Sequence, residues 1–205
     1  MAEKIYLYPV WLRIWHAINA LMFLVLIATG ISMQYSHPDA PLIRFDRAVS
    51  WHNIAGIIVS LNYLIFLMGN LITKNGSFYK IKLKGLIKSL IKQFDYYLRG
   101  LFKREPAPFP ISEERKFNPL QKVTYVGTMY VLVPIIIITG LALLFPETIV
   151  SKVFNYSGIY LTALLHGTVG FLLSVFLVIH VYFSTIGASP SSNFKGMING
   201  WHEKH

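Results

Sequence analysis

Four apolar runs, at residues 11–32, 49–71, 120–144 and 159–186, are each long enough to cross a bilayer as a helix. Hydrocarbon offers no hydrogen-bond partners, so a segment crossing it must satisfy its own backbone, and for separate runs that means α-helix. The 205 residues are 54% hydrophobic with a mean hydropathy of +0.51, far too apolar for a soluble domain of this length. Length predicts a single domain over residues 1–205. The expected fold class is therefore all-α, an integral membrane four-helix bundle. The first run begins after only ten residues, is too long for a signal-peptide core and precedes no small-residue cleavage site. It reads as a retained helix.

Cysteine is absent. That excludes a disulfide, a cysteine-ligated iron–sulfur cluster and a CxxCH-attached haem within this chain. A redox cofactor here has to be held by histidine and by burial.

The formal charge of +10 is concentrated in one connection. Residues 73–119 hold eleven lysines and arginines, whereas the two neighbouring connections hold only Arg44, Arg47 and Lys152. Such asymmetry is a topology signal and not a nucleic-acid footprint: the positive-inside rule puts residues 73–119 and both termini in the cytoplasm. Within that connection Leu83, Leu86, Ile87, Leu90, Ile91, Phe94, Leu98 and Leu101 recur at helical spacing with lysines between them. This predicts a basic amphipathic helix lying on the inner leaflet between helices 2 and 3, an anchor to anionic headgroups more than a docking surface. The proline-rich stretch 105–110 ends it. Pro38 and Pro41 lie in the outer loop, and Pro134 in the third run predicts a kink.

Four histidines interrupt the apolar runs: His16, His52, His166 and His180. A polar ionisable side chain in hydrocarbon needs a compensating partner. His166 and His180 lie fourteen residues apart, which on an α-helix means roughly the same face and about 21 Å along the axis. Alternating helix direction puts His16 and His180 at the inner depth and His52 and His166 at the outer one. Each pair spans two helices, the arrangement a planar macrocycle with two axial imidazoles requires. Gly30, Gly56 and Gly170 fall on ligand-bearing faces, where small residues leave room for a flat cofactor or for close helix packing. No third ligand gathers at either depth, which disfavours tetrahedral zinc. His37, His202 and His205 sit in loop or tail and read as solvated.

The motifs Arg13-Ile-Trp-His16, Thr29-Gly30, Trp51-His52-Asn-Ile-Ala-Gly56, Phe117-Asn-Pro-Leu-Gln-Lys122, His166 with His180, and Gly196-Met-Ile-Asn-Gly-Trp201 occur in that order. In this the chain resembles the two-haem cytochrome b family of membrane subunits found in respiratory formate dehydrogenases, nickel–iron hydrogenases and thiosulfate reductases, related to the prokaryotic cytochrome b561 group. The resemblance implies two haem b groups, one held by His16 and His180 on the inner side and one by His52 and His166 on the outer side. It also implies a quinone site (menaquinone or ubiquinone) lined by Asn118 and Gln121 with His180 nearby. An amide offers donor and acceptor together, which suits a quinone carbonyl or quinol hydroxyl. Asn118 is equally placed to cap the third helix. Arg13 and Lys122 at the inner edge are suited to haem propionates or to lipid phosphates. The connection 73–119 is longer and more basic than the formate dehydrogenase branch leads one to expect, which favours the thiosulfate-reductase-like or another branch.

The expected function is that of a di-haem cytochrome b subunit of a respiratory membrane complex. It would carry electrons between the quinone pool at an inner-side site and an extracytoplasmic oxidoreductase or cytochrome bearing iron–sulfur clusters or haems. As an electron-transfer subunit it needs no catalytic residue of its own. The alternatives are a free-standing b561-like quinone reductase with a small soluble electron donor, and a non-redox transporter or assembly subunit whose histidines titrate protons as in relay chains. The expected location is a bacterial or archaeal cytoplasmic membrane, with both termini inside.

Overall fold

The computed structural model describes residues 4–37, 40–187 and 189–203, so Pro38 of the outer loop and His205 of the tail lie outside the described residues. Four helices are long and apolar enough to cross a membrane: α1 (Val10–Tyr35), α2 (Phe45–Ile72), α4 (Pro119–Leu144) and α5 (Gly158–Ser184). A short α3 (Leu86–Asp95) precedes α4, and α6 (Ser192–Asn199) follows α5. Large apolar side chains such as Leu24, Leu61, Ile138 and Phe171 point outward, as expected where the surrounding solvent is lipid. The chain is an all-α membrane protein.

Observed ends differ from the apolar runs by a few residues, most at α2, which begins at Phe45 and not at residue 49. Arg44 and Asp46 form an ion pair there at 3.0 Å, and Asp46 sits in the first turn, where a negative charge meets the helix dipole favourably. The expected kink in α4 takes the form of a π-helical turn at Thr128–Leu132. Pro134 has no N–H, and its ring crowds the carbonyl four residues back, that of Tyr130. Widening the turn around Tyr130 accommodates both effects.

By internal contacts the chain divides into two compact units: Met1–Arg13 with Met68–Tyr130 and Val181–His205, and Ile14–Leu67 with Val131–His180. In the first unit, strand β1 (Lys4–Tyr6) pairs antiparallel with β4 (Trp201–Glu203), bringing Tyr6 opposite Trp201. The amides of Leu7 and Tyr8 both donate to the Gly200 carbonyl. Gly200 adopts φ +90°, and a Cβ there would come within 2.5 Å of the Tyr6 ring, so only glycine fits. Lys116, from the segment preceding α4, lies over the ring of Tyr8 at 4.8 Å. Within this unit, segments near both ends of the chain and the segment preceding α4 are therefore held together. A second, minimal hairpin, β2 (Lys152–Val153) with β3 (Tyr156–Ser157), joins α4 to α5.

The second unit is the bundle of helical middles. The Trp15 indole N–H donates to the Asn62 carbonyl, and the Asn62 amide donates back to the Trp15 carbonyl, both at 3.0 Å. Trp15 also stacks on Phe66 with centroids 4.8 Å apart. Toward the other end of α1, the Ser32 hydroxyl bonds both backbone groups of Ile43. These polar contacts fix α1 against α2 at one level and against the segment leading into α2 at another, in a medium where apolar burial alone gives helices little reason to associate. Ala55, Val59, Phe66, Val133, Val169 and Leu173 fill the buried interior.

Candidate metal centres

All four intramembrane histidines belong to the bundle unit. His16 stands near the start of α1 and His180 near the end of α5, and their ring centres are 6.2 Å apart with planes inclined by 50°. His52, near the start of α2, and His166, in the first half of α5, are also 6.2 Å apart, inclined by 66°. An imidazole–metal bond is about 2 Å long and a ring nitrogen lies about 1 Å from its ring centre, so two imidazoles on opposite sides of one ion have centres about 6 Å apart. Both pairs meet that spacing. Among the described residues no group of three or more His, Cys, Asp or Glu side chains converges, so each pair brings together two imidazoles and no third side chain of these types.

The surroundings of the two pairs differ in kind. Beside the first pair stand aromatic rings: Trp15 lies at an edge-on angle to His16, and Phe176 stacks on His180 at 5.6 Å. Beside the second stand two threonines. Thr29 on α1 places its hydroxyl oxygen 2.9 Å from His52 Nδ1, and Thr139 on α4 places its own 3.0 Å from His166 Nδ1. Each is followed by a glycine. A Cβ at Gly30 would meet His52 Cε1 at 3.7 Å, and one at Gly140 would meet His166 Cε1 at 3.0 Å. A Cβ at Gly56 would meet nothing within 4 Å, and one at Gly170 only the tip of Ile136 at 3.8 Å.

The remaining candidate residues belong to the other unit. Asn118 and Gln121 form a reciprocal capping box at the start of α4: the Asn118 side-chain oxygen accepts from the Gln121 amide at 2.9 Å, and the Gln121 side-chain oxygen accepts from the Asn118 amide at 3.1 Å. The Asn118 side-chain nitrogen donates to the Tyr97 hydroxyl at 2.7 Å. Arg13 donates one guanidinium nitrogen to the Ile198 carbonyl, while its Nε is buried without a hydrogen-bond partner. A buried donor of that kind calls for an acceptor, and an anionic oxygen is the strongest. Lys122 donates to the Lys80 carbonyl at 3.5 Å.

Thr29, Thr139 and Gly140 are the residues of this site that composition and spacing did not single out as contacts. Their signal in the sequence is a repeat, Thr-Gly at 29–30 and again at 139–140.

Four apolar helices presenting two facing imidazole pairs define a membrane protein of the cytochrome b class. Residues 7–200 match the family described as prokaryotic cytochrome b561, and the chain belongs to that family. It is also 37% identical over 200 residues to "Putative cytochrome YdhU" of Escherichia coli (strain K12), an alignment covering 98% of this chain and 75% of that one. No solved structure matches it significantly. The protein is a multi-pass, membrane-embedded electron-transfer protein of the b561-like family, a family that binds haem b.

Proposed function

We propose that this chain is a di-haem electron conduit: His16 with His180 and His52 with His166 are the axial ligands of two b-type haems, one above the other in the bundle. The observation that carries the reading is the equal 6.2 Å spacing of the two histidine pairs. When bound, each haem would supply a one-electron ferric–ferrous couple. The residues of the chain supply ligation, burial and orientation. Arg13, with its unpartnered Nε, is suited to a propionate of the group held by His16 and His180; Lys122 is the weaker candidate.

The basic 73–119 connection and its same-side termini support a cytoplasmic position for that unit, with the His52–His166 pair toward the outside. On this reading the four histidines and α1, α2, α4 and α5 act as one bundle. The exposed apolar stripe of Leu83, Ile87, Ile91, Phe94 and Leu98 supports α3 lying on the inner leaflet. A quinone, menaquinone or ubiquinone, would exchange electrons at the inner side near Asn118, Gln121 and His180. An extracytoplasmic redox subunit would do so at the outer side. The family match to b561 proteins favours a second reading, a free-standing quinone reductase with a small soluble donor.

The test is haem content and ligand loss. Purified protein should carry two haem b per chain by the pyridine haemochrome assay. His166→Ala should remove one component of the reduced-minus-oxidised spectrum and His16→Ala the other. One haem or none in the unaltered protein, or two unaffected components in either variant, would overturn the ligand assignment. Co-purification of a redox partner separates the complex subunit from the free-standing enzyme.

A further inference from the structure

The hydrogen bonds around the His52–His166 pair determine which ring nitrogens carry protons. Thr29 Oγ1 lies 2.7 Å from the Val25 carbonyl, and Thr139 Oγ1 lies 2.7 Å from the Ile135 carbonyl. A carbonyl only accepts, so each hydroxyl proton points back along its own helix. The hydroxyl oxygen then has only lone pairs left for histidine. At 2.9 and 3.0 Å, this assigns His52 Nδ1 and His166 Nδ1 as the donors, and each ring is also hydrogen-bonded to backbone on the same bracing helix, His52 to Leu26 and His166 to Ile136. Both rings are thereby held as the Nδ1–H tautomer, with Nε2 left as a bare lone pair. The same device occurs twice, α1 bracing a histidine of α2 and α4 bracing one of α5. Each threonine is followed by a glycine; at Gly140 an added Cβ would press on His166 Cε1 at 3.0 Å, whereas at Gly30 it would make an ordinary contact with His52 at 3.7 Å.

We propose that Thr29-Gly30 and Thr139-Gly140 are a matched pair of braces that fix the tautomer and raise the donor strength of His52 and His166, and so set the reduction potential of the centre these two histidines hold. The inference rests on their reading as haem ligands. Donation from Nδ1–H to a hydroxyl whose own proton is engaged with a carbonyl places electron density on the ring, which favours the ferric form. The threonines act through the two histidines that they touch; they are positioning residues.

The experiment is a potentiometric titration of the full chain in detergent, comparing the unaltered protein with Thr29→Val, Thr139→Val and Thr139→Ser. Valine keeps the β-branched shape and removes the hydroxyl; serine restores the hydroxyl without the methyl. We expect both valine variants to raise the midpoint potential of the His52–His166 centre while leaving the His16–His180 centre unmoved. The shift should be about tenfold in the ferric-to-ferrous equilibrium, about 59 mV for one electron. Thr139→Ser should return it to the unaltered value. Should Thr139→Val lose that haem altogether, recovery of both haem and potential in Thr139→Ser still supports the brace. Full haem occupancy with unchanged potentials in both valine variants overturns it, as does failure of serine to rescue. Failure of the ligand reading is seen separately, as absence of the second haem from the unaltered protein.

Discussion

At the scale of single residues, several polar groups carry two duties that substitution can separate. Asn118 caps α4 through its oxygen and holds Tyr97 through its nitrogen. Serine caps a helix about as well as asparagine but has no amide nitrogen, whereas alanine loses both functions. Asn118→Ala should cost about 1 kcal/mol of stability, read as a lower thermal midpoint in detergent. Asn118→Ser should keep the midpoint near that of the unaltered protein yet slow haem reduction by quinol, if the amide nitrogen serves the quinone. Equal quinol kinetics in Asn118→Ser would reduce Asn118 to a cap. Lys116 presents a different division. Only 3% exposed, it meets the rings of Tyr8, Phe78 and Phe117 and donates to Asn75 at 3.0 Å. Burial pushes its pKa down to about 7 from the ordinary 10.5. Between those two values the unfolded chain holds a proton that the folded chain has released, so stability rises with pH across that window and is flat below it. The titratable neighbours Tyr8 and Tyr79 are pushed upward by burial and stay neutral there. The thermal midpoint should increase from pH 7 to pH 9, and Lys116→Met should flatten that increase.

At the scale of elements, the two braces differ in tightness. A methyl at Gly30 would make an ordinary contact with His52, but one at Gly140 would press on His166 Cε1 at 3.0 Å. Gly140→Ala should therefore disturb the spectrum of the His52–His166 centre, while Gly30→Ala should leave it nearly unchanged. Equal effects would mean that ring clearance is not what these glycines provide. The short α3 invites a test that the cysteine-free sequence makes simple. Ile91 is exposed on the apolar stripe, so Ile91→Cys carrying an environment-sensitive fluorophore should report a hydrocarbon-like setting in nanodiscs containing anionic lipid. The signal should be quenched by a quencher attached to lipid chains. Water-like emission there would detach α3 from the leaflet.

At the scale of the whole molecule, what the sequence reveals follows the physics of each feature. The four spans are legible because hydrocarbon demands an apolar run of fixed length. Histidines stand out against those runs because any ionisable group there needs a reason. Thr29 and Thr139 do not stand out, since a threonine in a membrane helix ordinarily bonds its own carbonyl four residues back, as both do here. Their second contact depends on how neighbouring helices are rotated, which no local pattern encodes. Pro134 announces a departure from regular helix but not the π-helical form that it takes. The pairing of β1 with β4 joins segments of three residues from opposite ends of the chain, too short for a period to be read.

That terminal pairing makes the membrane topology unusually easy to test, because it ties three segments to one side. β1 and β4 bind the two ends to each other, and Tyr8 under Lys116 binds them to the connection before α4. On the proposed orientation, the excess of basic residues in 73–119 would put that side in the cytoplasm. Single cysteines introduced at Ala40 and at Ser112 should behave oppositely toward a membrane-impermeant maleimide. Ala40→Cys should label in intact cells, and Ser112→Cys only after permeabilisation. A cysteine at Lys4 should follow Ser112. If charge does not govern orientation, all three positions should exchange behaviour together, because the fold links Lys4 to the connection and Ala40 lies one span away. Labelling that separates Lys4 from Ser112 would break the link itself, and with it the proposed topology of four spans with Lys4 and Ser112 on one face.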